Sequence, residues 1–312
     1  MSHIYPLGGG KGGTGKTVMA ANLGALIAKQ GKKVVLVDLD LGGANLHTCL
    51  GIRNPEIGLN QFLNKTCKKL DEVVVSTSIS NLFLVSSANC SLEIANLFYA
   101  QKLKIIRAIQ RLPYDYVLLD LGAGTNFNTI DFFLISNEGL FIFTPEPTSI
   151  ENTARFIRAV YLRKVKQVLK QRAFFVIVKE IIANIKKKNA TVKSADIIEA
   201  MMEEDPAKGE LLLERLRAFG FKLILNKFQK NTDEHLGEKI EEVCTRHFHS
   251  EFQFLGNVSY DERVRDSVLS NRTYATKYPY THTVLNLQTI ADKLIGKDQP
   301  VYDRYQAYHE EI

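Results

Sequence analysis

Apolar residues in this chain follow two rhythms. Short, mostly apolar runs at 33–37, 82–85, 116–119, 139–143, 221–225 and 252–255, broken inside only by Lys222 and Gln253, show no sustained polar alternation. Such runs predict strands covered on both faces, as in a parallel sheet. Ile4-Tyr5-Pro6-Leu7 reads as one more strand, and Pro6, which cannot donate to a ladder, predicts an irregularity there. Between the runs, a 3.6-residue period predicts helices over Val18–Lys29, Ala100–Leu112 and His282–Ile295. A long helix, capped by Ser149, is predicted from Ile150 to Gln171. Leu59–Leu63 and Leu70–Val75 are shorter apolar segments.

The turn after the first strand carries the chemistry. Gly10 to Thr17 matches G-x-x-x-x-G-K-[ST] between a strand and a helix, the context that this pattern requires. Glycines let backbone N–H groups close around a phosphate, and the following helix adds its positive end. Lys16 would reach the β- and γ-phosphates, and the Thr17 hydroxyl would ligate the bridging Mg2+. The second strand closes on Asp38-Leu39-Asp40, and in an extended chain these two carboxylates point the same way. One can hold magnesium through water while the other orients an attacking water. Tyr116-Val117-Leu118-Leu119-Asp120 is a further run closing on a carboxylate, with Asp120 placed to hold a magnesium-bound water.

Lys11 is a second lysine in a loop where one suffices for the bound nucleotide. The stretch Lys11-Gly12-Gly13-Thr14-Gly15-Lys16-Thr17 resembles the deviant Walker A motif of the MinD/ParA family of ATPases. The resemblance implies ATP held by Gly10 through Val18 and a nucleotide-sandwich homodimer, in which Lys11 reaches the partner's phosphates. Asp38 to Asn45 looks like switch I of that family. By this likeness Asp40 positions the hydrolytic water, Asp38 assists the metal with Thr17 and Asp120, and Asn45 contacts the nucleotide side. Asp120-Leu121-Gly122-Ala123-Gly124 is similar to switch II, and Asn226 to the residue that reads the adenine edge. Glu146 stands either at the dimer face or as an ordinary loop acid. Leu255 to Asp261 resembles the loop closing around the base, with Ser259 where the family has proline. The implied fold is α/β: a mainly parallel, twisted sheet flanked by helices, with the site at the strands' carboxyl ends.

Length fits one large domain. The chain has 312 residues, and the resemblance covers about 1–160 and 220–295. Residues 1–296 are expected to form the ATPase domain, with a helical insertion at about 172–209 and a tail at 297–312. The net charge of +6 allows contact with nucleic acid or anionic lipid without requiring it. Cys49, Cys67, Cys90 and Cys244 form no CxxC pair, which argues against a zinc site, a disulfide scaffold or an iron–sulfur carrier of the related Mrp type. No secretory apolar region or run of about 18 apolar residues appears, so a cytoplasmic protein is expected.

The basic run Arg163–Arg172 and Lys186-Lys187-Lys188 read as a solvated helix face, a protein-binding surface, or a site for nucleic acid or lipid. Interleaved aromatics, which would favour single-stranded nucleic acid, are almost lacking within these runs. Tyr302, Tyr305 and Tyr308 suit one helix face better than an autophosphorylation cluster of a tyrosine kinase. The acidic tail lacks the apolar stripe and basic face of a membrane-binding helix, which argues against direct membrane contact there. Two functions stay open: a MinD/FlhG-like positioning switch that recruits protein partners in its ATP state, and a ParA-like DNA-segregation ATPase.

Overall fold

The computed structural model describes residues 2–90, 97–171, 174–188, 194–248 and 250–297. In chain order it contains β1 (His3–Gly8), α1 (Lys16–Lys29), β2 (Val34–Leu39), α2 (Leu46–Cys49), α3 (Leu59–Leu63), β3 (Val75–Ser76), β4 (Leu82–Val85) and α4 (Tyr99–Ile109). Then come β5 (Tyr116–Leu121), α5 (Phe127–Phe133), β6 (Glu138–Phe143), α6 (Pro147–Leu169), α7 (Phe175–Lys188), α8 (Ser194–Glu204) and α9 (Pro206–Arg217). The remainder is β7 (Gly220–Phe228), α10 (Leu236–His247), β8 (Glu251–Ser259), α11 (Arg263–Leu269), α12 (Tyr274–Lys277) and α13 (His282–Leu294).

The strands form one sheet in the order β3-β4-β2-β5-β1-β6-β7-β8. Every neighbouring pair is parallel except β3 with β4. Helices α1, α2, α12 and α13 cover one face, around Leu7, Leu36 and Leu118. Helices α3 to α6 and α10 cover the other, around a stack of aromatic rings. Phe133 and Phe141 lie 4.7 Å apart between centroids, with Phe156 edge-on to both. Burial from both sides explains why β2 and β5 are buried at every residue and why their sequences lack alternation.

Pro6 lies in a continuous ladder, contrary to the expected irregularity. The His3 N–H points toward β5, donating to Asp115 O at 2.9 Å, so alternation turns position 6 toward β6. The β6 ladder begins only at Leu7, so the missing donor of Pro6 costs no sheet bond. The long helix also starts earlier than expected. Glu146 precedes it and Pro147 takes its first turn, where the lost N–H is unneeded. Ser149 is therefore inside the helix, and its hydroxyl accepts the Thr144 N–H at 3.0 Å.

Three helices, α7 to α9, follow the long one and close on its end. Val165 and Leu169 of α6 join Ile181, Met201, Leu212 and Leu216 in an apolar cluster separate from the two sheet cores. Helix continues to Arg217, past the expected limit at 209. The middle of the expected insertion, and the tail beyond Lys297 with its tyrosines, lie outside the described residues.

Candidate functional site

Strand β1 is central, and its carboxyl end delivers the glycine loop to the middle of the sheet. A Cβ on Gly9 would sit 2.7 Å from the Ile142 carbonyl oxygen, and one on Gly10 would overlap the Asn152 backbone of α6. These close approaches require glycine. On the other side of the loop, a Cβ on Gly12 or Gly13 would touch nothing, so the loop borders open space there. Gly13 and Gly15 have φ of 80° and 91°, in the left-handed region that glycine alone enters freely. Gly15 leads into α1, whose first turn has no side-chain cap, leaving unspent N–H donors at a positive helix end.

Lys16 is almost buried, with Nζ 3.4 Å from Lys11 O. Burial pulls its pKa down, while Asp120 and Asp40 oppose that shift. The Thr14 hydroxyl is buried without a partner.

Strand register decides which carboxylates stand together. Asp38 pairs with Asp120 across β2 and β5, and Leu7 of β1 is also in register with Asp120. Alternation along both strands turns Asp38 and Asp120 to the α1 face, with Leu36 and Leu118. The strand ends at Leu39, and Asp38 accepts the Asp40 N–H at 3.1 Å and the Leu46 N–H at 3.3 Å. Asp40 lies past the strand against the Asp120–Gly124 loop, its Oδ1 3.0 Å from where a Gly122 Cβ would be.

Asp120 is 1% exposed and neither of its oxygens has a hydrogen-bond partner. Burial, then repulsion from Asp38, pushes its pKa up, against the nearby Thr17 hydroxyl and Lys16. Asp38 is raised too, mainly by burial, although its backbone partners oppose this. Two adjacent buried carboxyls that resist ionisation, beside an orphaned hydroxyl and a buried lysine, suit a cation and a polyanion arriving together. Among the described residues no three His, Cys, Asp or Glu side chains group as a metal site. A divalent cation here would therefore draw most of its ligands from water, hydroxyl and phosphate oxygens, the usual manner of Mg2+.

The other expected residues divide. Asn226 lies at the loop, its Nδ2 donating to Thr14 O at 2.8 Å. Asn45 spends its amide locally, on Gly43 O at 2.6 Å. Lys11 is exposed and its Nζ donates to Thr148 Oγ1 at 3.1 Å. Glu146 has its pKa lowered, first by the Thr144 hydroxyl and further by Lys227 and Lys11. Val18 lines a pocket of about 220 Å³ beside the loop, with Gly15, Asn226, Val258 and Asp261.

Sequence reasoning missed Lys227, Thr148 and Tyr274. Lys227, at φ 58°, donates to Gly13 O at 2.9 Å. Tyr274 and Arg263 both donate to Asp261 at 2.6 Å, holding that carboxyl down at about 2, with Arg263 the larger cause. Only the Asn226-Lys227 dipeptide offered a signal for any of these. Ser259 uses its N–H and hydroxyl on Asn286 Oδ1, at 3.1 and 2.9 Å, a pair of bonds that proline could not make.

The family model for the CobQ/CobB/MinD/ParA nucleotide-binding domain matches residues 7–274. The chain belongs to this family. Among curated members of the MinD/ParA group, it is 31% identical over 159 residues to the septum site-determining protein MinD of Helicobacter pylori, matching 50% of this chain and 58% of that one. It is 24% identical over 303 residues to the antiactivator FleN of Pseudomonas aeruginosa, matching 96% of this chain and 89% of FleN. The chain spans about half the length of the curated MinD relatives it matches. The solved structure of MinD with Mg-ADP from Pyrococcus horikoshii superposes with a TM-score of 0.64 at 20% identity, covering 94% of this chain and 96% of that one. At that identity the likeness establishes a shared MinD/ParA fold.

Proposed function

We propose that this chain is a Mg-ATP-dependent ATPase that dimerises and acts as a molecular switch. The process it serves would be the positioning or number control of a cellular structure, with partner proteins recruited in the ATP state. One observation carries the reading: Asp120, buried and unpartnered, stands in register with Asp38 beside the glycine loop. In this reading residues 1–296 form the ATPase domain, with the helices after α6 as an insertion.

The N–H groups of Gly10 through Thr17 and the Lys16 ammonium bind the phosphates, and Val18 borders the base pocket. Thr17 would hold Mg2+ directly, with Asp38 and Asp120 acting on its waters. Bound magnesium neutralises charge on the β- and γ-phosphates. Asp40 orients the attacking water, since it stands against Gly122 and within electrostatic reach of Lys16. Asn226 has its amide nitrogen committed to Thr14 O, which leaves its carbonyl oxygen for the adenine amino group. Lys11, exposed and resting on Thr148, is free to swing to the phosphates of a second copy. Asn45 has its amide engaged on Gly43 O and reaches nucleotide only after switch I rearranges.

Light scattering of the Asp40→Ala protein tests this: a dimer is expected with Mg-ATP and a monomer with Mg-ADP. A monomer at saturating ATP would sink the proposal. The ParA side of the family keeps a second reading, DNA segregation, in play. Binding to non-specific duplex that needs ATP and weakens steeply with salt would favour it.

A further inference from the structure

Helices α4 and α6 enclose a groove of about 370 Å³, well away from the glycine loop. Its floor is apolar, made by the half-buried Leu103, Ile106, Leu134 and Ile135. Four cations line it against one carboxylate: Lys102, Arg163, Lys166 and Lys170 against Asp131. That carboxylate is fully engaged. It takes a buried ion pair from Lys102 and two bonds from Arg163, at 2.8 and 3.0 Å. Lys166 and Lys170 are exposed, with no acidic partner among the described residues.

The same ion-pair cluster gathers aromatic rings that are far apart in sequence. The Lys102 ammonium lies 5.6 Å from the Tyr99 ring centre, and the Arg163 guanidinium 5.6 Å from that of Phe127. Tyr99 and Phe127 are 69% and 72% exposed, and the neighbouring Phe98 is 77% exposed. Monomer surfaces scatter such side chains singly, whereas a group at the mouth of an apolar-floored groove marks a docking surface.

We propose that this groove docks an acidic amphipathic helix of another protein, with Asp or Glu side chains flanking aromatic or leucine anchors. Charge complementarity sets the acids: the free ammonium groups of Lys166 and Lys170 stand along one wall. The floor sets the anchors, since Leu103, Ile106, Leu134 and Ile135 offer an apolar trough between two helices, the arrangement that receives an i, i+3, i+4 stripe. A nucleic acid strand could stack on Tyr99 and Phe127 but has no aliphatic groups to bury on that floor. The groove adjoins α5, the helix that follows the Asp120–Gly124 loop, through Asp131, yet the docking itself requires no nucleotide.

The probe is a phage-displayed library of random 16-residue peptides, selected on the nucleotide-free full chain and counter-selected on Lys166→Glu/Lys170→Glu. Both substitutions are of exposed side chains outside the nucleotide site, and unchanged thermal unfolding checks the fold of the variant. Enriched peptides are expected to combine acids with aromatic or leucine residues at helical spacing. A synthesised representative should lose at least tenfold in affinity on Lys166→Glu/Lys170→Glu and at least fivefold on Phe127→Ser, by fluorescence anisotropy. A poly-glutamate peptide of equal charge should bind at least tenfold more weakly than the representative. No enrichment, enriched peptides without acids, equal binding by poly-glutamate, or stronger binding by a twenty-residue oligothymidylate would each overturn the proposal.

Discussion

Replacing Asp120 by Asn should stabilise the protein that it disables. The carboxyl is 1% exposed, its oxygens have no partners, and Asp38 is beside it in the register. A buried charged group costs about 1–3 kcal/mol or more, part of it offset here by the nearby Thr17 hydroxyl and then by attraction to Lys16. An amide keeps the shape and removes the charge, so a gain of about 2 kcal/mol is expected at pH 8 in nucleotide-free protein in EDTA, or roughly 4–8 °C in Tm. The pH dependence fixes the sign. A carboxyl whose folded pKa is raised holds a proton that the unfolded chain releases, so stability falls as pH climbs from the ordinary carboxylate range near 4 through the raised folded value. The advantage of Asp120→Asn should therefore shrink between pH 8 and pH 5.5, where the wild-type pair carries its proton. Mg-ATP should reverse the ranking, since ligand at a hundredfold its Kd contributes about 2.7 kcal/mol to a protein that binds it. Thermal unfolding of both proteins at the two pH values reads all of this. A variant less stable than wild type at pH 8 without ligand, or an advantage independent of pH, would refute the argument.

Other substitutions probe the frame around the site. Gly10→Ala should abolish nucleotide binding, measured by fluorescent-nucleotide titration, because the new methyl group meets the Asn152 backbone, which cannot give way as a side chain could. Asp131→Ala should cost about 3–5 kcal/mol in chemical denaturation, since it leaves Lys102, and in part Arg163, without their shared acid. Phe133→Ala should cost a similar amount, about 3–5 kcal/mol, by opening a cavity among Phe141, Phe156 and Phe221. Lys11→Ala should leave nucleotide affinity within about threefold while preventing the ATP dimer, because its ammonium rests on Thr148 rather than within its own loop.

Local pattern alone was enough for most of the frame. Mostly apolar runs mark strands covered on both faces, and the glycines of Gly10 to Thr17 announce a phosphate loop because few other reasons require that backbone freedom between a strand and a helix. Sequence also named Lys16, Thr17 and Asp120 individually. Family resemblance put them at one site, but the local pattern by itself could not pair them. Asp38 and Asp120 are 82 positions apart and meet only because β2 and β5 align in register, a fact set by packing of the whole sheet. Pro6 reads as a defect until strand order shows that its missing donor faces a place where the neighbouring ladder has not begun. Lys227 and Tyr274 carry no local mark, since a lysine after a strand and a tyrosine in a short helix are ordinary residues until tertiary contacts bring them to Gly13 and Asp261. The basic run of α6 shows almost no aromatics in sequence, yet Phe127 reaches its Arg163 through the chain's path. Short-range periodicity and backbone chemistry are written along the chain, whereas charge pairing and surface composition depend on which distant segments the sheet places side by side.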